Sequence, residues 1–558
     1  VFGLAGGARA AKPANLSDLA KEYYDGLFRS SPVTATASGL HEYDSLLDDV
    51  SAAAHAREAA RLQRIVTLLR ALDGTAMPPA ERDERDVLAA HIDGSLLEEL
   101  TVQQWRHNPA TYVDLLTSAL YSLIERDFAP LPDRMRSVIA RESLVAGMLA
   151  QAQRNLADMP PVFIDIALEN LAGAQNFVGA DVPAAFVAVH DPGLQAQLSR
   201  SGKAALAALA GYKAYLIAQK PVSHGSFVLG RANLQRLLSS DMVDVPVERV
   251  MAAGRRQMDK DHAAFLATAK LVDPKDPAGA LALVEQDHPD GAHLVSTARD
   301  QLGMLQRFIE DHHIVTLPSQ MLPAVGETPP FARALIFGEL DPPGPLETHA
   351  TKAYYFITPP DPTEPKAAQD RYLRYFNTAL LQNLSVHEAL PGHFTQYLFL
   401  HANPGWSLVR RMAGSYTTTE GWAHYSEQMM LDEGLGDHDP KLRLAQLQDA
   451  LLRDCRLVAS IGMHAEGMTL AQATDMMAKE CFQPPSVAPK EARRGTSDPG
   501  YYSYTLGKLE ILKLRADVQA KEGKAFTLAH FHDRFLGAGL VPVAVIRREI
   551  LGLDGPAL

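Results

Sequence analysis

The sequence predicts a mainly α-helical protein interrupted by one short β-rich segment. Three observations carry this. Apolar residues recur at three and four spacing through most of the first 270 residues and again after residue 370. Pro, Asn and Ser stand where such segments begin, and Gly or Pro where they end. Between 312 and 368 prolines crowd, and β-branched or aromatic runs replace the helical period.

Residues 15–28 are predicted as the first helix, with Asn15 or Ser17 as its cap and Leu19, Tyr23 and Leu27 four apart. Pro32, a short segment to Gly39 and a polar loop at His41-Glu42-Tyr43-Asp44 follow. Helices are expected over 51–73 and 81–105; neither contains proline, and Gly94 is their only glycine. The pattern continues over 109–124, 132–155, 160–174, 192–216 and 233–238. Pro246 suits the first position of a helix running to 271. No fixed repeat period occurs, which argues against a solenoid. Residues 274–293, rich in Pro, Gly, Asp and His, read as a loop or short helix between lobes, and 294–311 as a helix.

Ile314-Val315-Thr316-Leu317, Ala334-Leu335-Ile336-Phe337 and Ala353-Tyr354-Tyr355-Phe356-Ile357 read as short strands. A small sheet here suits one rim of a cleft, because an edge strand binds an extended peptide through its main chain. The competing view is an irregular Pro-rich excursion packed on the helices. Helices are then expected over 370–384, 394–400, 407–431, 442–464, 469–479, 502–521, 527–536 and 542–551, with 484–500 a loop.

The chain has 558 residues, enough for a large core and for lobes. Its net charge of -13 and the lack of a basic, aromatic-laced patch argue against nucleic acid as a partner. No long apolar run predicts a membrane span. The two cysteines, Cys455 and Cys481, do not form a CxxC motif. One disulfide is possible, and Cys455 otherwise reads as a small buried apolar residue. Residues 1–14 read as a leader or signal-peptide remnant, Ala8-Arg9-Ala10 having the form of a cleavage site. An exported, periplasmic or secreted protein is therefore expected. The sequence does not reveal the oligomeric state.

The chemistry concentrates at His387-Glu388-Ala389-Leu390-Pro391-Gly392-His393. A zinc hydrolase needs neutral nitrogen ligands and a carboxylate to carry a proton. In the usual His-Glu-x-x-His the two histidines stand four apart on one helix face. Here they stand six apart, roughly 240° round a helix of about 3.6 residues per turn, so an unbroken helix would point them away from each other. Pro391 cannot continue a regular helix, and Gly392 permits an unusual path. Two residues looped out at Pro391-Gly392 would return His393 to its partner and leave Glu388 beside the metal.

A third ligand should come from another element. Glu420 is the best candidate, followed by Gly421, which leaves room for close helix contact. His424 shares its face and is the main rival ligand. Glu427 is placed to orient a ligating histidine. No Gly-x-Ser-x-Gly elbow, phosphate loop or dinucleotide glycine motif is present.

His387-Glu388-Ala389-Leu390-Pro391-Gly392-His393 and Glu420-Gly421-Trp422-Ala423 resemble the signatures of the bacterial DUF885 family, which is grouped with zincin-like metallopeptidases. Tyr354-Tyr355, Gly462-Met463-His464, Tyr504-x-x-Gly507-Lys508 with Leu514-Arg515, and Phe531-His532-Asp533 extend the likeness in the same order. The resemblance implies a helical body with a deep cleft, broadly similar to helical zinc peptidases. It implies His387, His393 and Glu420 as zinc ligands and Glu388 as the catalytic carboxylate. His424, where an apolar residue is expected, and Ser460, where an Asp is expected, depart from the pattern.

The expected function is hydrolysis of amide bonds in short peptides by one zinc ion per chain, with Glu388 as general base. Tyr504, His464 and Tyr502 are candidates to stabilise the oxyanion, Tyr504 first because it starts a helix after a Gly-containing loop. Arg515 or Lys508 is a candidate for binding a peptide carboxylate, a solvated helix face being the competing view of Lys508. The lobes divide as 15–293, helical, and 294–558, catalytic. Alternatives are a zinc amidohydrolase acting on a non-peptide or modified amino-acid conjugate, and an inactive binding protein of the same fold.

Overall fold

Residues 15–330, 333, 337–555 and 558 are described by a computed structural model. The residues of the expected leader, 1–14, lie outside them, as do 334–336 of one expected strand. The chain is mainly helical with one small open three-stranded sheet among the described residues.

The first helix, Leu16–Ser30, begins where the Asn15 side chain accepts the Asp18 N–H at 2.9 Å. It buries Leu19, Tyr23, Tyr24 and Phe28. Long helices follow at Ala52–Ala71, Pro79–Leu97, Ala110–Ile124, Leu131–Asn155, Pro161–Asn176, Pro192–Gln219 and Val247–Val272. The helix expected over 81–105 leaves regular geometry early. A π-helical turn occupies Glu98–Val102, Gln103 takes a left-handed φ of 50°, and the Glu98 carboxylate accepts the Gln104 N–H at 2.7 Å. That side-chain bond offers the backbone an alternative to the helical ladder.

Three apolar cores hold the molecule. The first joins the helices up to Leu96 with Leu294–Asp311, the sheet and the helices between Leu373 and Leu551. The second joins residues 234–284 with 444–506. The third is built from buried residues of 110–216, with Leu47 and Val50 packed against it. Elements on both sides of residue 293 thus share two of the three cores.

Strand β1 is Ala324–Glu327, β2 is Gly338–Asp341 and β3 is Tyr354–Ile357. The order is β1-β3-β2, with β1 parallel to β3 and β2 antiparallel to it, Gly338 opposite Ile357. The third expected strand is present. The first is not: at 314–317 the Ile314 carbonyl accepts from His532 and the Thr316 N–H donates to Asp533 at 2.8 Å, so helix side chains replace a ladder. The sheet takes Ala324–Glu327 instead.

Two further expectations are corrected. The loop predicted over 484–500 contains the helix Ala488–Ser497, held by buried Ala488 and Ala492. The helix predicted over 407–431 is two, Leu408–Met412 and Tyr416–Asp432, because Ser415 starts the second by accepting the Thr418 N–H at 3.0 Å. Cys455 and Cys481 form a disulfide, so Cys455 is buried as half of a cystine. Among the described residues no helix is long and apolar enough to cross a membrane.

Candidate metal centre

The helix Thr378–Glu388 ends one residue past His387, and the next, His393–Ala402, begins at the second histidine. The chain between them folds back sharply. Ala389 and Leu390 both donate to the Ser385 carbonyl, the Leu390-Pro391 bond is cis, and Gly392 donates to Val386 at 3.0 Å. A Cβ on Gly392 would lie 1.8 Å from the His387 carbonyl oxygen, so no other residue fits without moving the backbone. Trp422, fully buried, donates its indole N–H to the Pro391 carbonyl at 2.8 Å. The break is therefore a full helix-to-helix turn pinned from the neighbouring helix, rather than two residues looped from a continuing helix. It brings the rings of His387 and His393 to 4.9 Å, nearly perpendicular.

Glu420 comes from the helix Tyr416–Asp432. That helix packs on Ser503–Glu522 through Gly421 and Gly507; a Cβ on Gly507 would lie 1.9 Å from the Thr417 carbonyl oxygen. Both glycines serve this close approach. The Nε2 atoms of His387 and His393 each lie 3.5 Å from Glu420 Oε2, and one ligand atom from each residue falls within 4.8 Å of the others. Glu420 Oε2 is buried and has no hydrogen-bond partner.

The other ring nitrogens are held. His387 Nδ1 bonds Glu427 Oε1 at 2.7 Å, and His393 Nδ1 bonds Gln396 Oε1 at 3.0 Å. With each Nδ1 held by its acceptor, Nε2 is the nitrogen turned towards Glu420. Glu427 is itself buried between His424, at 3.1 Å, and Arg453, at 3.3 Å.

The electrostatics of the three residues favour a cation. Burial opposes a charge on His387, but Glu420 and Glu427 outweigh it and push the ring up to about 9. Burial likewise opposes the Glu420 carboxylate, yet the two imidazoles hold it well below the ordinary range. A buried carboxylate oxygen without a hydrogen-bond partner, facing two Nε2 atoms in a pocket that favours positive charge, fits a His/His/Glu ion site in which a metal cation replaces the imidazole protons. Ligands about 2.0–2.1 Å from a tetrahedral zinc stand roughly 3.3 Å apart, close to the separations found.

Glu388 lies beside the ligands, and its charge acts on His393. Its Oε2 accepts the Leu340 N–H at 2.9 Å, so the outer edge of β2 faces this carboxylate. The Tyr504 ring lies 6.4 Å from that of His387, and its hydroxyl 3.3 Å from the hydroxyl of Tyr416. Burial, then the Glu420 charge, raises the Tyr504 phenol, which keeps its proton.

Other predicted residues stand elsewhere. His464 is buried with Nε2 bonded to the Gly495 carbonyl at 2.9 Å and Nδ1 to the Leu229 N–H at 3.3 Å, so both nitrogens serve the backbone. Lys508 is fully buried 3.8 Å from Asp261, neither solvated nor open to a substrate. Arg515 donates to the Tyr425 hydroxyl at 3.0 Å and pairs with Glu433 at 3.5 Å. Tyr502 is buried behind the start of the Tyr504 helix, nearer Asp241 than the ligands. His424 bonds Glu427 and, being buried and next to Lys508, is pushed down to about 3.

Three contributors escaped the sequence: Tyr416, Gln396 and Arg453. Tyr416 precedes Glu420 by one helical turn and Gln396 follows His393 by three residues, spacings that carry a signal once the ligands are known. Arg453 had a weaker one, being one of three charges, with Asp454 and Arg456, in a helical stretch that is largely buried.

Comparison with known proteins supports the sequence motifs. The family model described as "Bacterial protein of unknown function (DUF885)" matches residues 32–550. The fold is similar to that of a putative lipoprotein of unknown function from Shewanella oneidensis, with a TM-score of 0.80 and 26% identity over 96% of this chain and 100% of that one. A putative lipoprotein from Colwellia psychrerythraea shares the fold with a TM-score of 0.82 at 18% identity, over 97% of this chain and 99% of that one. No curated protein matches the chain in sequence.

Proposed function

The chain belongs to the DUF885 family, and we propose that it is a zinc-dependent hydrolase that cleaves amide bonds of short peptides. The observation that carries this is the convergence of His387, His393 and Glu420 on one point, with the Glu420 oxygen otherwise orphaned. Both Nε2 atoms face that oxygen at 3.5 Å, and each ring is held from its far side through Nδ1.

Zinc held by these three residues supplies Lewis acidity to the scissile carbonyl and lowers the pKa of water. Glu388 takes the proton of the attacking water and returns it to the leaving amine. Leu340 holds that carboxylate in place through its N–H. Tyr504, protonated and close to Glu420, donates to the oxyanion. Glu427 and Gln396 keep each imidazole turned with Nε2 inward. The outer edge of β2 offers main-chain hydrogen bonds to an extended substrate. This is a zincin-like division of labour in a helical setting.

Export from the cytoplasm is part of the proposal. The Cys455–Cys481 disulfide suits an oxidising compartment, and the similar proteins are described as putative lipoproteins.

The test is metal content of the purified protein together with hydrolysis of a mixed short-peptide library. About one zinc per chain with cleavage is expected. A protein that holds no zinc even after resupply overturns the proposal; zinc without peptide cleavage redirects it to a non-peptide amide.

A further inference from the structure

A cavity of about 460 Å³ lies beyond Tyr416 from the metal centre; it is lined by Tyr416 and by none of the three ligands. Its walls are the last turns of Pro79–Leu97 with the π-helical turn after it, the end of Arg231–Ser240, and the starts of the two helices that carry Glu420 and Tyr504. Tyr416 connects the two places. It lines the cavity, its ring lies 6.0 Å from that of Tyr504, and Tyr504 lies 6.4 Å from His387. An extended residue spans about 3.3–3.6 Å, so a molecule the size of a short peptide reaches both.

The lining is acidic and contains no lysine or arginine. Glu98, Glu99 and Asp241 all contribute. Their partners leave that charge largely uncancelled: Glu98 accepts the Gln104 N–H at 2.7 Å, Glu99 meets His55 at 2.8 Å, and Asp241 accepts the Thr417 N–H at 3.1 Å.

A second observation points to a ligand. Tyr502 lines the same cavity and is only 2% exposed, yet its hydroxyl makes no hydrogen bond among the described residues. That hydroxyl keeps its hydrogen-bonding capacity for whatever occupies the cavity. An ammonium group brings three N–H donors and one positive charge, and both match this lining.

We propose that the cavity binds a primary ammonium group of the substrate, from an α-amino terminus or a lysyl side chain, while the adjoining amide reaches the metal centre. The word substrate rests on the hydrolase reading; the binding of the ammonium does not.

The experiment uses probes without an amide, so nothing is turned over. Leucinol and n-pentylamine, with 4-methylpentanol and n-pentanol as neutral counterparts, are titrated calorimetrically into the purified whole protein. At least one amine is expected to bind about tenfold more tightly than its alcohol, as befits a charge-assisted hydrogen bond. Leucinol leading indicates an α-amino terminus; pentylamine leading indicates a lysyl side chain. In Glu98→Gln, which keeps the acceptor for Gln104, and in Asp241→Asn, the preference is expected to fall below about threefold. If Asp241→Asn fails to fold, Glu98→Gln decides alone. Equal binding of amine and alcohol, no binding of any probe, or a preference untouched by the variants overturns the proposal. Failure here with zinc and peptide cleavage intact leaves the hydrolase standing, and discrimination here without zinc leaves the cavity standing.

Discussion

Glu427 Oε1 lies 2.7 Å from Nδ1 of His387, both side chains buried, and the bond fixes which nitrogen of the ring faces Glu420. The same carboxylate binds His424 through its other oxygen and meets Arg453. One buried anion thus orients a ligand and neutralises an arginine.

Replacing Glu427 with Gln keeps an acceptor for His387 but removes the charge. Zinc affinity is expected to fall about 10–100-fold, the usual cost of losing a partner that orients a ligand. Competition with a chelator measures it. Thermal stability should fall as well, because Arg453 loses a buried counter-charge. Unchanged zinc affinity would show that the His387 tautomer is set elsewhere.

Glu388→Gln tests the proton carrier. Zinc content should stay at the wild-type level while kcat falls about 10²–10⁴-fold. Turnover retained with zinc bound would remove Glu388 from the mechanism.

Tyr504→Phe removes one hydroxyl and leaves the ring between His387 and Arg456. We expect kcat to fall about 10²–10³-fold, with zinc content and KM nearly unchanged, as for loss of one oxyanion donor. Tyr416→Phe, farther from His387, should cost less. Equal losses in the two would mean that the tyrosine pair acts as one unit.

Gly392→Ala probes the turn itself. The added methyl would collide with the His387 carbonyl at 1.8 Å, so backbone must shift at the first ligand. Stability should drop by about 1–3 kcal/mol or more, and zinc should be lost. Urea unfolding and metal analysis read the two effects. A stable, zinc-replete variant would show that the chain reaches the same geometry by another path.

His532 makes stability depend on pH. Its Nδ1 donates to the Ile314 carbonyl at 2.7 Å, its Nε2 accepts from Tyr425 at 2.8 Å, and burial pushes it down to about 3. Above pH 6.5 neither folded nor unfolded ring is charged, so this group contributes no slope. Below 6.5 the unfolded ring takes a proton that the folded ring refuses, and stability falls towards pH 3 by about 1.4 kcal/mol per unit. Thermal melts from pH 7.5 to 4.5 should show this decline. His532→Phe should melt lower at pH 7.5, having left the Tyr425 O–H without its acceptor and the Ile314 carbonyl without its donor, but with a shallower slope. An unaltered slope would assign the proton uptake to other groups.

The sequence by itself determined the helical character and the ligand set as a hypothesis. Helical periodicity is local, so Leu19, Tyr23 and Leu27 mark one face without knowledge of what covers it; Leu19 and Tyr23 are buried and Leu27 stands at the edge of that face. The Pro391-Gly392 break could also be read, because both residues restrict or free the backbone locally. What lay beyond reach were the partners. His464 and His387 look alike in sequence, and only the neighbouring chain decides that the first serves the Leu229 and Gly495 backbone while the second faces Glu420. Lys508 and Arg515 stand on a helix with little amphipathic bias, so their burial depended on Asp261, Tyr425 and Glu433 from other helices. The strand run at 314–317 had the composition of β structure, but its hydrogen bonds went to His532 and Asp533. Local propensity sets what a segment tends towards; its long-range hydrogen bonds and counter-charges decide what it becomes, and those are made by residues far away in the chain.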